Sequence, residues 1–256
     1  MIDPATAFRL DGKVALVTGG TRGIGRAIAE AFVAAGGGVC VLARKKDELD
    51  ETQAALAAIG PGVAVYAGSA GDPEAIEGAV AHCLAELGRV DILVNNAATN
   101  PTFGPMIETE PRAVHKVLEV NVEGPLLLSQ AAWQSWMREH GGVIINVASL
   151  GGIRPSLGIG MYNTSKAALI HMTRQLAVEL APAVRVNAIA PGLVKTHFAR
   201  ALFEHDEEGM AARFPMKRLG VPDDVAGAAL FLASDASSWL TGDVIVIDGG
   251  GLIGGP

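Results

Sequence analysis

An α/β fold is what this chain predicts: one parallel, doubly wound sheet of about seven strands with helices on both faces. Three observations carry that expectation. Short runs rich in Val, Ile, Leu and Ala fall at 13–17, 39–42, 63–66, 90–94, 143–147, 184–189 and 243–247. They lack the strict apolar–polar alternation of a half-exposed strand, as strands covered on both faces should. Helical patterns separate them, at 23–35, 45–58, 73–87, 111–138, 162–180 and 222–233. Finally, the first run, Lys13-Val14-Ala15-Leu16-Val17, passes through a glycine-rich turn straight into a helix.

The third helix shows the local logic. Asp72 caps it, Pro73 takes the first helical position, and Ile76, Val80, Cys83, Leu84 and Leu87 make one apolar stripe before Gly88 stops it. Length and composition agree: 256 residues, 50% hydrophobic and with 32 Gly, suit a single domain over 1–256 with a large core. No linker, repeat or low-complexity stretch marks a boundary. The net charge of -7, without a block of like charges, argues against nucleic acid as a partner. Cys40 in a predicted strand and Cys83 in a predicted helix make neither a disulfide framework nor a metal site. No apolar run reaches the about 20 residues that cross a bilayer, which speaks against a membrane partner. Met1 to Leu10 lacks a basic then apolar leader, and the Gly-Gly-Pro end matches no anchor, so a cytoplasmic location is expected.

Two motifs carry chemistry. Thr18-Gly19-Gly20-Thr21-Arg22-Gly23-Ile24-Gly25 joins the first strand to the first helix. Glycines let the backbone approach a pyrophosphate, and the helix start offers unpaired N–H groups and the positive end of its dipole. The spacing, Gly19-x-x-x-Gly23-x-Gly25, differs from the commoner G-x-G-x-x-G. Tyr162 and Lys166 stand four apart on one helix face, thirteen residues beyond Ser149. A phenol with an ordinary pKa of about 10 needs such a neighbouring ammonium to exchange a proton near neutral pH.

Together these residues resemble the short-chain dehydrogenase/reductase family, over roughly Leu10 to Gly250. The resemblance also takes in Asn95-Asn96-Ala97, Asn121, Pro191-Gly192 with Thr196, Thr241-Gly242 and Asp248-Gly249-Gly250. It implies a Rossmann-type fold and a catalytic set of Asn121, Ser149, Tyr162 and Lys166. Cofactor contacts are then implied for Gly19, Arg22, Gly23, Ile24, Gly25, Arg44, Ser69, Asn95, Ala97, Tyr162, Lys166, Pro191, Gly192, Val194 and Thr196; no metal is implied. In this scheme Tyr162 donates a proton to the carbonyl oxygen and Ser149 holds the same oxygen. Lys166 lowers the phenol pKa, and Asn121 holds a water leading from Lys166 to solvent.

Where an NAD-binding member places an acid after the second strand, this chain has Ala43, followed by Arg44, Lys45 and Lys46, with Arg22 aimed at the same region. Guanidinium groups suit a 2′-phosphate, so NADP(H) is favoured, with NAD(H) the alternative. Two positions depart from the family pattern. Ala98 stands where Gly is usual, and Gly68-Ser69-Ala70 replaces an adenine-contacting Asp, a contact that falls to Ser69.

The expected activity is NADPH-dependent hydride transfer to a ketone or to a 3-oxoacyl thioester on acyl-carrier protein or CoA. An NAD-dependent alcohol dehydrogenase of the same family, and a nucleotide-binding module without turnover, are the alternatives. A substrate lid is expected over 193–216, where Phe198, Leu202, Phe203, Met210, Phe214 and Met216 flank an acidic cluster. His197 and His205 read as solvated. Leu150, Ile153, Leu157 and Phe103 are placed on the opposite wall, and nothing in this pocket suggests a charged clamp for a small acid. Carrier-protein docking would need a basic patch, for which Arg138, Arg174 and Arg200 are candidates. The resemblance further implies a homodimer or homotetramer paired through 111–138 and 162–180, with Trp133, Trp136 and Met137 placed either at that interface or in the core. The C-terminal strand and tail would join a second interface.

Overall fold

The computed structural model describes Asp3 and residues 6–254; readings that involve Met1, Ile2, Pro4 or the Gly255-Pro256 end lie outside the described residues. The strands are β1 (Val14–Thr18), β2 (Gly38–Ala43), β3 (Val63–Ala67), β4 (Ile92–Asn95), β5 (Gly142–Val147), β6 (Val184–Pro191) and β7 (Val244–Ile247). All pair in parallel, in the order β3-β2-β1-β4-β5-β6-β7. The order reverses between β1 and β4, and that switch point is where an open α/β sheet leaves a crevice at its C-terminal strand ends.

The helices are α1 (Gly23–Ala34), α2 (Lys46–Ala57), α3 (Pro73–Leu87), α4 (Pro111–Leu118), α5 (Gly124–Ala132), α6 (Arg138–His140), α7 (Gly160–Leu180), α8 (Glu207–Ala212), α9 (Pro222–Ala233) and α10 (Gly251–Gly254). They build two cores. Val17, Val39, Val41 and Ile145 meet Ile28 and Phe32 of α1 and Val225 and Leu232 of α9. Leu16, Cys40, Leu42, Leu93 and Ile144 point the other way, against Ile76, Val80 and Cys83 of α3, Leu128 of α5 and Ala177 of α7. Successive strand residues thus feed opposite cores, and at about 1.5–3 kcal/mol for each large apolar side chain buried both sets must be hydrophobic. That is why the strands show no alternation.

The helix expected over 111–138 is the succession α4, α5 and α6, joined by wide i→i+5 turns at Glu119–Glu123 and Trp133–Met137. The first wide turn has a covalent cause. Pro125 has no N–H to offer the Asn121 carbonyl, and the amide of Gly124 reaches back to Glu119 instead. Trp133 and Trp136 pack against the second core and Met137 is wholly buried in it, so these residues serve this chain's own interior. The short helices α8 and α10 were not anticipated, and β4 begins at Ile92 rather than at Val90.

Cys40 and Cys83 are free thiols buried side by side; their mutual hydrogen bond and burial push the Cys83 thiol up, which keeps it protonated and inert. No metal-holding cluster and no helix long and apolar enough to cross a membrane occur among the described residues.

Gly124 touches the loop after β3 so closely that a Cβ there would collide with the Ala70 carbonyl oxygen, a backbone atom that cannot swing away. Gly124→Ala is expected to cost about 1–3 kcal/mol, as overpacking does, read as a lower urea midpoint at unchanged slope.

Candidate active site

Two strand ends are tied together first. Thr18, closing β1, is buried; its Oγ1 donates to the Val94 carbonyl and accepts from the amides of Asn96 and Ala97, each at 3.0 Å. Asn96 answers from the other side, its Nδ2 donating to the Thr18 carbonyl at 2.8 Å and to the Gly19 carbonyl at 3.2 Å. The glycine turn is thereby held over the switch point. Gly19 and Gly23 have φ of +65° and +55°, which L side chains rarely adopt. Gly25 does not face the crevice; a Cβ there would strike Asn96 and the Gly19 carbonyl, so its role is to let α1 seat against the clamp. No side chain caps α1 at Arg22, which leaves its first amides free to meet an anion.

A cleft of about 1150 Å³ follows the C-terminal ends of the strands. After β1 it is lined by Gly19, Arg22, Gly23 and Ile24; after β2 by Ala43 and Arg44; after β3 by Gly68 and Ser69. Asn96 and Ala97 follow β4, Ser149 follows β5, and Gly192, Val194 and Thr196 follow β6. Its length over successive strand ends, its glycine floor and its exposed arginines fit a dinucleotide. Glu48 also lines it, accepting from Lys45 at 2.8 Å and from Thr21 at 3.0 Å, and Lys45 holds its carboxyl below the usual range. Among the described residues Arg44 has no such partner, and it stays exposed.

Ser149, Tyr162 and Lys166 share the cleft wall. Ser149 caps the 3-10 turn Leu150–Gly152, accepting from the Gly151 amide at 3.1 Å. Lys166 is 2% exposed, its Nζ donating to the Val147 carbonyl at 2.7 Å and standing 5.7 Å from the Tyr162 ring centroid. Burial pushes the phenol up to about 12, partly opposed by the Ser149 hydroxyl. Burial also brings Lys166 down to about 7. Desolvation dominates both groups: at Tyr162 it outweighs the Ser149 hydroxyl, and at Lys166 it weakens the ammonium that the sequence places beside the phenol. The Phe198 ring lies 5.7 Å from that of Tyr162, so the reacting end is walled by an aromatic.

A family model described as enoyl-(acyl carrier protein) reductase matches residues 19–251. The chain is similar to dehydrogenase/reductase SDR family member 4 of Oryctolagus cuniculus, at 40% identity over 247 residues and 94% of each chain. The chain belongs to the short-chain dehydrogenase/reductase family. Solved members share its whole architecture. A blue fluorescent protein from a metagenomic library, in complex with NADPH, superposes with a TM-score of 0.88 at 33% identity, covering 94% of this chain and 98% of that one. A 7α-hydroxysteroid dehydrogenase complexed with NADH and 7-oxo glycochenodeoxycholic acid gives 0.92 at 32% identity, covering 98% of both.

In this short-chain dehydrogenase/reductase, three of the catalytic and cofactor residues expected from sequence do not reach the cleft wall: Gly25, Asn95 and Asn121. Asn95 is buried beneath it, its Nδ2 donating to Asn146 Oδ1 at 2.9 Å; its neighbour Asn96 is the one at the wall. The amide group of Asn121 is spent on structure, bonding the Thr99 amide and carbonyl and, at 3.0 Å, Ser165 Oγ. A water held by Asn121 would therefore have to use its backbone carbonyl, the one Pro125 leaves without an i+4 partner. Ala98 keeps a negative φ, so it carries no left-handed strain. Around the substrate end stand Phe103, Leu157, Leu202, Met210 and Phe214, whereas Ile153, Phe203 and Met216 do not line it. The loops carrying Phe103 and Leu157 are joined by a parallel bridge, Gly104 to Ile159, with Gly104 N donating to the Gly158 carbonyl at 2.9 Å. Arg138, Arg174 and Arg200 lie off the cleft, and Arg200 pairs with Glu204 at 2.9 Å. His197 does line it. So do Arg154 and Arg213, two cationic side chains that the sequence does not place there.

Between about pH 7 and the ordinary lysine value of 10.5, the folded chain binds fewer protons at Lys166 than the unfolded chain does. Stability from this group therefore rises with pH across that window and is flat below it. Wild type is expected to gain stability relative to Lys166→Met as pH is raised from 7 to 10, measured by urea denaturation at several pH values.

Proposed function

We propose that this protein reduces a ketone or 3-oxoacyl thioester to the alcohol, with NADPH as the electron donor. The observation that carries the reading is the meeting of Ser149, Tyr162 and Lys166 on one wall of a cleft whose glycine floor fits a dinucleotide. When bound, the reduced dinucleotide supplies the hydride. Gly19, Arg22, Gly23 and Ile24 would hold its pyrophosphate region, Arg44 and Arg22 its 2′-phosphate, and Ser69, Ala97, Pro191, Gly192, Val194 and Thr196 the rest.

The chain's own groups then manage the proton. A phenol pushed up to about 12 stays protonated at neutral pH, as a proton donor to a carbonyl oxygen must. Ser149, poised by its bond to the Gly151 amide, supplies the second hydrogen bond to that oxygen. Lys166, anchored on Val147, is placed to return a proton to the phenol after turnover. Asn121 positions Lys166 and the Thr99 loop through Ser165 and the Thr99 backbone.

One solved relative carries NADPH and another NADH, so the relatives support either nicotinamide. Ala43 in place of an acid, with Arg44 unpaired at the cleft, favours NADPH. The segment 193–216 is read as the lid of a single domain. Assembly as a homodimer or homotetramer through α4–α6 and α7 belongs to the same proposal, supported by Val178, which stands 80% exposed on α7. So does a cytoplasmic location, supported by the two reduced thiols.

Tyr162→Phe is expected to lower single-turnover reduction by about a hundredfold to ten-thousandfold, while fluorescence titration shows NADPH still binding. Arg44→Ala is expected to reduce the ratio of NADPH to NADH affinity about tenfold, measured by the same titration.

A further inference from the structure

The chain carries a net charge of -7, yet Glu48 is the one acid that lines the cleft among the described residues, against seven Lys and Arg. Glu48 sits with the glycine turn and β2, engaged by Lys45 and Thr21. The substrate end is thus lined without a carboxylate but with two guanidinium groups. We propose that the substrate carries an anionic group, a carboxylate or a phosphate, apart from its carbonyl, and that Arg213 receives it, with Arg154 held on the wall beside it. This rests on the carbonyl-reductase reading and narrows its substrate class.

The two arginines come from separate segments and converge on one corner. Arg154 follows the turn that Ser149 caps, and its Nη1 donates to the Gly251 carbonyl at 3.3 Å, which fixes the guanidinium to the wall. A Cβ on Gly251 would lie 2.8 Å from the Phe214 ring, so the same corner abuts the residue next to Arg213. Asp248, whose carboxylate lies 3.7 Å from a Cβ built on Gly251, is engaged by the amides of Gly250 and Leu252, and three acids of the segment before Arg213 are engaged as well. Glu207 pairs with Lys195, Glu204 with Arg200, and Asp206 caps its own helix by accepting from the Gly209 amide at 2.8 Å. Among the described residues the exposed Arg213 has no ion pair or side-chain hydrogen bond. Between this corner and Tyr162 the wall is apolar, with Phe198, Leu202, Met210 and Phe214 on one side and Phe103 and Leu157 on the other. An amphipathic ligand follows: a carbonyl at Tyr162, an apolar body, and an anion at the arginines. Guanidinium groups bind carboxylate and phosphate oxygens in pairs, and a cleft with one sign of charge concentrates such ligands.

The test uses the NADPH-loaded protein and matched pairs of probes. Benzoylbutyrate is compared with its methyl ester, and acetoacetyl-CoA with the neutral acetoacetyl thioester of N-acetylcysteamine. At low salt, the charged member of at least one pair is expected to have a kcat/KM about fivefold higher, carried by KM, the upper end for a solvent-facing ion pair. The advantage should shrink at about 0.5 M salt, where the screening length falls to a few ångströms. Arg213→Leu should abolish it, Arg213→Glu reverse it, and Arg213→Lys retain part. A gain confined to benzoylbutyrate identifies a carboxylate, and one confined to the CoA thioester identifies a phosphate. Equal kcat/KM within both pairs, or a ratio unchanged by Arg213→Leu and Arg213→Glu, overturns the proposal. If none of the probes is reduced, the carbonyl-reductase reading fails separately. Calorimetric binding of benzoylbutyrate and its ester to wild type and Arg213→Leu then decides the charge question: tighter binding of the acid that the variant loses supports it, and equal binding overturns it.

Discussion

The clamp between Thr18 and Asn96 is the contact on which the rest of the site depends. One buried hydroxyl takes two amides from the chain leaving β4, and one carboxamide takes two carbonyls from the chain leaving β1. These strands are neighbours in the sheet but lie about eighty residues apart in sequence, and without the clamp their ends would diverge at the switch point. The glycine turn is shaped only because that junction is fixed, and Gly25 is a glycine because α1 must press against it. A buried polar network of this kind specifies one arrangement, since every alternative leaves a donor or acceptor unpaired in the interior.

From that junction the cleft divides by electrostatics. Free amides at the start of α1, Arg22 and Arg44 make one end attractive to phosphate. The central wall is desolvated, and there burial sets proton affinities: it holds the Tyr162 proton on and pushes the Lys166 proton off. Both shifts come from the same packing of α7 against β5 that places the two side chains on one wall, so geometry and titration are not independent properties of the site. At the far end, aromatic and aliphatic side chains lead to a second cationic corner.

Much of this was legible in the chain because local patterns encode it. The seven strands follow from unbroken apolar runs, and α3 begins and ends at the residues its Asp72, Pro73 and Gly88 mark. Tyr162 and Lys166 share a wall because a four-residue spacing fixes a helix face, and Ser149 joins them from the end of β5. What was not legible depends on contacts between distant segments. Asn95 and Asn96 look alike in sequence, and only the pleat of β4 decides that the first turns inward to Asn146 while the second meets Thr18. The family resemblance puts Asn121 on a proton path, whereas its side chain is consumed by the Thr99 loop and Ser165, partners twenty-two and forty-four residues away. Arg154 and Arg213 have no shared pattern at all; α10 and Phe214 bring them to one corner. The wide turn before α5 has its cause in the sequence, in Pro125, which has no N–H to offer the Asn121 carbonyl.

The bridge between Gly104 and Ile159 has a consequence for how such a pocket changes over generations or in a laboratory library. Gly158 has a φ of +82°, and a Cβ there would fall 2.5 Å from the Phe103 ring. The two loops behave as a single panel, whose shape is stored in a pair of residues rather than in either alone. Enlarging the side chain at 158 displaces the exposed ring of Phe103 and strains the backbone at 158 itself. The left-handed backbone strains any larger side chain at 158 whatever stands at 103, so change at this wall falls to Phe103 and its neighbours while Gly158 stays fixed.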